Sequence, residues 1–335
     1  MKRILGIGNA LVDVMTLIDN DNILEKFSLP KGSMQLVDGN KSALIKSKTN
    51  SFKRNLASGG SAANTIHGLA MLNVNTGFIG SVGKDDTGDF FEDDMKMAGV
   101  KTFLTRRNSP TGTAVALISP DSERTFATHL GAAVELGPGD LDPGYFKDYD
   151  ILYLEGYLII NIALVKRACE IARNNNMIIA LDLASYNVVE AKLADFKEII
   201  ETYVHIVFAN EEEAKSFTGF APTNAVKSLS ELCDIAVIKV GSEGSIVRRG
   251  EEVFRIASIP VNCIDTTGAG DLYASGFLYG YANGFTMEKC GLYGSLLAGR
   301  VIEIVGARMD QTRWKKIIES VKESGPELSS LTDIL

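Results

Sequence analysis

The chain of 335 residues has little sulfur and little imidazole: four cysteines, Cys169, Cys233, Cys263 and Cys290, and three histidines, His67, His129 and His205. No two cysteines form a Cys-x-x-Cys pair, so the spacing that builds zinc sites and redox pairs is missing. Each cysteine has apolar neighbours, which reads as buried, reduced thiols and a cytoplasmic protein. No stretch approaches the ~18 apolar residues of a membrane span. The apolar start at Met1-Lys2-Arg3-Ile4-Leu5 is interrupted by Asn9 and Asp13 before a signal-peptide core can form. Positive charge is also in deficit, since 34 Lys and Arg against 42 Asp and Glu leave a formal net charge of −8. That balance argues against nucleic acid or an anionic membrane as the main partner, although a small anion can still bind locally. There is no internal repeat and no low-complexity segment.

What the chain does have is ordinary globular material, with 45% hydrophobic and 23% charged residues, enough for a large packed core. Its length suits two average domains, or one large α/β core with an appendage. Short apolar runs at Ile4 to Ile7, Thr76 to Ile79, Ile151 to Leu154, Ile178 to Leu181, His205 to Ala209 and Ile235 to Val240 predict buried parallel strands. Between two of them Ile162, Val165, Ala168, Cys169 and Ala172 recur at helical spacing, the pattern of a βαβ unit. Repetition of that unit predicts a doubly wound, mostly parallel α/β core. Two segments, 13–39 and 103–129, depart from the alternation. Stretches such as Thr113-Ala114-Val115-Ala116-Leu117-Ile118 and Arg124-Thr125-Phe126-Ala127, with a turn at Ser119-Pro120-Asp121-Ser122, predict a small β-rich lid. The core is then 1–12, 40–102 and 130–335.

The most informative stretch is Asp265-Thr266-Thr267-Gly268-Ala269-Gly270-Asp271, which runs directly into the apolar, helix-like Leu272-Tyr273-Ala274-Ser275-Gly276-Phe277-Leu278-Tyr279. Small residues allow a tight turn whose amides point at one place, where the helix dipole also favours an anion. Asp271 would stand beside that anion as a base, taking a proton from an attacking hydroxyl while the amides of Gly268, Ala269 and Gly270 hold developing charge. A second glycine site, Gly59-Gly60-Ser61-Ala62-Ala63-Asn64, opens another apolar helical run.

Together and in this order, the two sites resemble the signatures of the PfkB, or ribokinase-like, family of sugar and nucleoside kinases. The resemblance covers essentially the whole chain and implies a ribokinase-like core with a β lid. It also implies roles for further residues. Asn9 and Asp13, in Gly6-Ile7-Gly8-Asn9-Ala10-Leu11-Val12-Asp13, would bind acceptor hydroxyls with Gly59, Gly60 and Asn64. A dinucleotide fingerprint fails here because Leu11 replaces its third glycine. Gly83-Lys84-Asp85-Asp86-Thr87-Gly88 is no Walker A loop, since Phe78 and Asp85 occupy its first glycine and closing hydroxyl positions. Asn210-Glu211-Glu212-Glu213 matches the family's Asn-x-x-Glu, which implies that Asn210 and Glu213 lie near nucleotide phosphates and Mg²⁺, with Glu213 acting through water. Lys239-Val240-Gly241-Ser242-Glu243-Gly244 looks like the nucleotide loop, and Thr266 joins it on the nucleotide side. Arg124 matches a lid arginine that would neutralise the γ-phosphoryl group on closure, and Asp265 and Thr267 match positions lining a monovalent-cation (K⁺) site in some relatives.

The activity implied is ATP-dependent phosphoryl transfer to a hydroxymethyl hydroxyl of a small-molecule acceptor. Gly32-Ser33-Met34-Gln35, Glu123 to Ala132 and Leu154-Glu155-Gly156-Tyr157 are most similar to bacterial adenosine-kinase-like members, favouring a nucleoside, adenosine first. Ribose, fructose or another free sugar is the alternative acceptor, and a catalytically silent ligand-binding protein is the alternative from another class. The family uses both monomers and lid-paired homodimers, and both remain open.

Overall fold

Short buried apolar runs alternate with helices along the chain, and that alternation builds a parallel sheet covered on both faces. The computed structural model describes residues 1–121 and 123–324. Ser122, in the expected turn, and residues 325–335, at the end of the expected core, lie outside the described residues. The described strands are β1 (Ile4–Ile7), β2 (Leu11–Leu17), β3 (Met34–Leu36), β4 (Arg54–Gly59), β5 (Thr76–Gly83), β6 (Lys101–Arg107), β7 (Gly112–Ile118), β8 (Arg124–His129), β9 (Ile151–Glu155), β10 (Ile178–Asp182), β11 (Ile206–Asn210), β12 (Ile235–Lys239), β13 (Ser245–Arg249) and β14 (Glu252–Ile256).

Nine of them form one sheet in the order β14-β13-β12-β11-β10-β9-β1-β5-β6. From β6 to β12 every pairing is parallel, and β13 and β14 close the far edge as an antiparallel hairpin. Successive residues serve opposite faces: Ile151 and Tyr153 of β9 join one apolar cluster, Leu152 and Leu154 the other. Each is 0% exposed and contributes roughly 1.5–3 kcal/mol relative to a solvated side chain. The expected helix forms as Ile162–Asn174, with Val165, Ala168, Cys169 and Ala172 buried. Chain order runs outward from β1 through β5 to β6, then returns to β9 on the other side of β1. The topological switch point, where open α/β sheets bind ligands beyond the strand ends, therefore lies between β1 and β9.

The second sheet has the order β3-β8-β7-β2-β4. Its extent differs from the segments expected of a lid. Residues 101–107 belong to the main sheet as β6, because they pair in parallel register with β5 from Gly77↔Lys101 to Gly83↔Arg107. Residues 54–59, expected in the core, join the second sheet as β4, antiparallel to β2. Directly paired residues share a face. One face of this sheet thus carries the rows Asp13, Ala114, Thr128 and Leu36; Met15, Ala116, Phe126 and Met34; and Leu17, Ile118 and Arg124.

The helix Ala269–Ala282 is apolar on nearly every side, and it is buried accordingly, between the helices Ser61–Met71 and Met287–Val301. Phe277 meets Phe208 of β11 edge-on, ring centroids 5.3 Å apart. Close approach to the following helix depends on Gly276, where a Cβ would stand 2.1 Å from the Tyr293 carbonyl oxygen. Gly276→Ala should therefore lower unfolding free energy by about 1–3 kcal/mol through overpacking. Urea denaturation reads this as a lower midpoint at unchanged slope, and an unchanged midpoint contradicts the packing argument.

Candidate active site

The two glycine sites of the sequence meet at one carboxylate. Asp271 is the third residue of the helix Ala269–Ala282. Its Oδ1 accepts from Ser61 Oγ at 2.7 Å and its Oδ2 from Asn64 Nδ2 at 2.9 Å. Thr65 Oγ1 donates to the Asp271 carbonyl at 3.1 Å, and Ser275 Oγ donates to the Thr65 carbonyl at 2.8 Å, so the two helix starts are laced together. The preceding Gly268 is left-handed at φ 77°, and the Ala269 amide donates to the Thr266 carbonyl at 3.1 Å, which closes the turn in front of the helix. Burial raises the Asp271 pKa, while the bonds from Asn64 and Ser61 pull it down. The result is a carboxylate more basic than a solvated aspartate, held by two side-chain donors.

On the acceptor side, Gly60 has φ 99° and a Cβ there would stand 2.1 Å from the Asn9 carbonyl oxygen. A Cβ on Gly59 would stand 2.4 Å from Asp13 Oδ1. The absence of side chains at both positions lets the end of β4 close on Asn9 and Asp13. Asn9 donates through Nδ2 at 2.5 Å and its backbone N at 2.9 Å to Glu155 Oε1, whose partner oxygen accepts from Ala62 N at 3.0 Å. Glu155, the last residue of β9, thereby joins β1, β9 and the Ser61–Met71 helix at the switch point. Burial pushes it up to about 7 against those hydrogen bonds. Asp13 is pushed up to about 6 by burial, with the Arg308 cation lowering and Asp271 raising it. Arg308 donates to the Ser58 carbonyl at 3.0 Å and to Ser58 Oγ at 2.7 Å. Its Nη1 and the Asn64 Oδ1 are buried without a hydrogen-bond partner, a free donor and a free acceptor near the base.

Two clefts flank the anion turn. The first, about 470 Å³, is lined by Ile259, Pro260, Val261, Tyr273, Ala298 and Ile302, with Gly241, Gly244 and Thr266 at its polar edge. The second, about 580 Å³, holds Asp271, Asn210, Asp182 and the Glu211 to Glu213 run. Lys239, Gly241, Ala269 and Gly270 line both. Asn210 and Glu213 form a capping box: Asn210 Oδ1 accepts from Glu213 N at 2.8 Å, and the Glu213 carboxylate accepts from Asn210 N and Nδ2, each at 2.7 Å. Burial pushes Glu213 up to about 7, with Lys239 lowering and Asp182 raising it. Among the described residues no group of three or more His, Cys, Asp or Glu side chains is arranged to hold a metal ion.

Some expectations meet a different geometry. Arg124 does not reach free into the site; it is ion-paired with Asp265, the two side chains 11% and 1% exposed. The Asp265 carboxylate also accepts from Thr267 N at 2.8 Å and Gly306 N at 2.6 Å, so a cation and two amides already surround the group read as part of a monovalent-cation site. Cys263 is exposed rather than buried, because it lies in the irregular stretch after β14, at the edge of the first cleft, and not on a core strand.

The model of the pfkB family carbohydrate kinases matches residues 37–313. The chain belongs to that family. It is similar in structure to the probable sugar kinase of Rhizobium etli CFN 42, 32% identical with a TM-score of 0.85 over 95% of this chain and 98% of that one. The adenosine kinase of Sinorhizobium meliloti is 33% identical with a TM-score of 0.85, covering 96% of this chain and 99% of that one. A nucleoside kinase of Methanocaldococcus jannaschii is 27% identical over 96% of this chain and 98% of its own. The fold is ribokinase-like, and the chain is a PfkB-family kinase acting on a sugar or a nucleoside.

Of the site groups in this kinase, sequence reading placed Asp182 at a strand end where such sheets bind ligands, and missed Glu155 and Arg308 as participants. Glu155 and Asp182 carry a legible signal, a carboxylate closing a buried parallel strand. Arg308 carries none, since its partner Ser58 is 250 residues away in the chain.

Asp13, Glu155 and Glu213 are all raised above the ordinary carboxyl values of 3.8, 4.5 and 4.5. The folded state then keeps protons that the unfolded chain releases, so their contribution to stability is complete below about pH 4 and is lost as pH rises through about 7. His67 and His129, lowered by burial, work the other way below about pH 6.5 and offset part of this, so the net expectation is that the ligand-free protein melts lower at pH 8 than at pH 5.5 at fixed ionic strength, as read by calorimetry. A flat or rising Tm over that range contradicts the raised values.

Proposed function

We propose that the protein transfers the γ-phosphoryl group of ATP to the hydroxymethyl hydroxyl of a nucleoside, with adenosine the favoured acceptor. The observation that carries the nucleoside reading is the face of the second sheet that bears Asp13. The same rows present Met15, Phe126, Met34 and Leu36, of which Met34 and Leu36 are 55% and 66% exposed. A polar end for a ribose and an apolar, aromatic end for a base thus share one surface, turned toward Asp271 and Arg308, the charges that act on Asp13. The second sheet acts as a lid in this reading, and its closure keeps water from competing as acceptor. Similarity to the Sinorhizobium adenosine kinase supports the same acceptor.

ATP lies with its base in the apolar first cleft and its phosphates at Lys239, Gly241 and the anion turn. Asn9, Asp13, Asn64 and the backbone at Gly59 and Gly60 hold the acceptor hydroxyls. Asp271 takes the proton of the hydroxymethyl group as its oxygen attacks the γ-phosphorus, and the amides of Gly268, Ala269 and Gly270 bind the peripheral oxygens. Among the described residues, five carboxylates, Asp182, Glu211, Glu212, Glu213 and Asp271, line the phosphate cleft with Lys239 as its one cation, so free ATP would be repelled. Mg²⁺ bound with the phosphates would supply the missing positive charge, and Glu213 would be the residue to hold it, through water. For K⁺ the backbone oxygens of Asp265 and Thr267 are the proposed ligands, since the Asp265 carboxylate is engaged by Arg124 and two amides. The reaction is assigned to the cytoplasm. Strands β3 and β4 are the edges of the second sheet, where two copies would pair in a dimer.

A free sugar is the second reading, supported by the sugar-kinase name of the Rhizobium relative and by the hydroxyl-binding set, which needs no base. The test is ATP consumption with Mg²⁺ and K⁺ against adenosine, inosine, cytidine, ribose, fructose and fructose 6-phosphate, with products identified by mass. Turnover of adenosine is expected; preference for a free sugar overturns the nucleoside assignment, and silence across the panel favours a non-catalytic binder. Asp271→Asn should cut kcat by about 10²–10⁴-fold, with ATP affinity little changed. Near-normal turnover by that variant would remove Asp271 as base.

A further inference from the structure

A phosphoryl group in transfer carries negative charge on its peripheral oxygens and needs a cation close to its path. Arg124 is engaged by Asp265. Lys239 is placed differently. It is the last residue of β12, and its Nζ donates to Asp182 Oδ2 at 2.8 Å, the two side chains 15% and 7% exposed. The ammonium stands 3.1 Å from the point a Cβ on Gly270 would occupy. Gly270 lies within the helix Ala269–Ala282 and is not among the residues with positive φ, so its missing side chain serves space rather than conformation. A side chain there would press on the ammonium.

Position in the clefts points the same way. Lys239 is one of four residues shared by the nucleotide cleft and the cleft of Asp271, the junction a γ-phosphoryl group must cross. In the second cleft it is, among the described residues, the one cation beside five carboxylates. Burial works against its charge, but Asp182, Glu213 and Asp271 outweigh burial and hold its pKa above that of an ordinary lysine. Asp182 is itself fixed, its Oδ1 accepting from Ala184 N at 2.9 Å, with Ala184 held left-handed at φ 68°.

Resting on the phosphoryl-transfer reading above, we infer that Lys239 is the catalytic cation that stays with the γ-phosphoryl group from nucleotide to acceptor, and that Asp182 is the residue positioning it. In that step the bond from γ-phosphorus to the bridging oxygen breaks, with its electron pair leaving on ADP. The acceptor oxygen forms the new P–O bond, and the acceptor proton passes to the Asp271 carboxylate. Lys239 keeps its proton throughout.

The test compares wild type with Lys239→Met, Asp182→Asn and the double variant, which leaves no unpaired buried charge. Calorimetric binding of ADP and of the β,γ-imido analogue of ATP, both with Mg²⁺, is read beside turnover at saturating acceptor. Lys239→Met should lose about a hundredfold or more in kcat. It should also bind the imido analogue at least about tenfold more weakly, with ADP within about twofold, since only the analogue carries the third phosphate. Asp182→Asn should lose about tenfold in kcat, and added to Lys239→Met it should cost nothing further, because a positioning group has no effect without the group it positions. Equal loss of ADP and analogue affinity would reduce Lys239 to a general nucleotide contact and overturn the inference, as would kcat within about threefold of wild type. Multiplicative losses in the double variant would overturn the positioning role. If wild type turns over no acceptor, the kinase reading fails, while the ratio of analogue to ADP affinity still decides Lys239.

Discussion

The rest of the site depends on one contact: a carboxylate at the start of one buried helix held by the start of another. Asp271 accepts from Ser61 and Asn64, and this bond pair sets the proposed base against the Gly59-Gly60 turn. Such a contact requires close backbone approach, which side chains at Gly59 and Gly60 would block by meeting Asp13 and the Asn9 carbonyl. It also requires rigid helices behind it. The helix carrying Asp271 is apolar and buried nearly all round, and the close passage at Gly276 fixes its lateral position against the next helix. Local loss at any of these points would displace the Asp271 carboxylate, which in the proposed reaction matters at about 1 Å.

Around that contact the charges are arranged by depth. Glu155, one-hundredth exposed, holds Asn9 and Ala62 and closes the switch point. Farther toward the nucleotide, Asp182 and Lys239 form a pair at the junction of the clefts. Arg308 reaches in from the far end of the chain and counters Asp13. The site is thus rich in carboxylate and poor in cation, which fits a reaction whose co-substrate arrives with its own divalent ion.

Much of this was legible, and the reason is locality. The anion turn, the second glycine site, the Asn210-to-Glu213 run and the buried strands are each encoded within a few consecutive residues, where period and residue size leave few choices. Strand β4 was not legible, because Arg54-Asn55-Leu56 has no buried face of its own and gains its place by pairing with β2. Residues 103–107 of β6 were read into the lid because a short strand without a buried face of its own does not say which sheet it will join. Arg124 looked like a mobile lid cation, since a sequence cannot reveal that Asp265 waits beside it.

By itself, the sequence determined the kind of fold, the two glycine-opened helix starts, and the residue types of an anion site with a base, because hydrophobic period and glycine position act locally. Tertiary structure alone decided which groups face one another. The pairing of Asp271 with Ser61 and Asn64, of Glu155 with Asn9, of Lys239 with Asp182 and of Arg308 with Ser58 spans from 57 to 250 residues of chain. Contacts at such separations exist only once strand order and helix packing have brought distant backbones together, and burial then sets the proton affinity of each carboxyl.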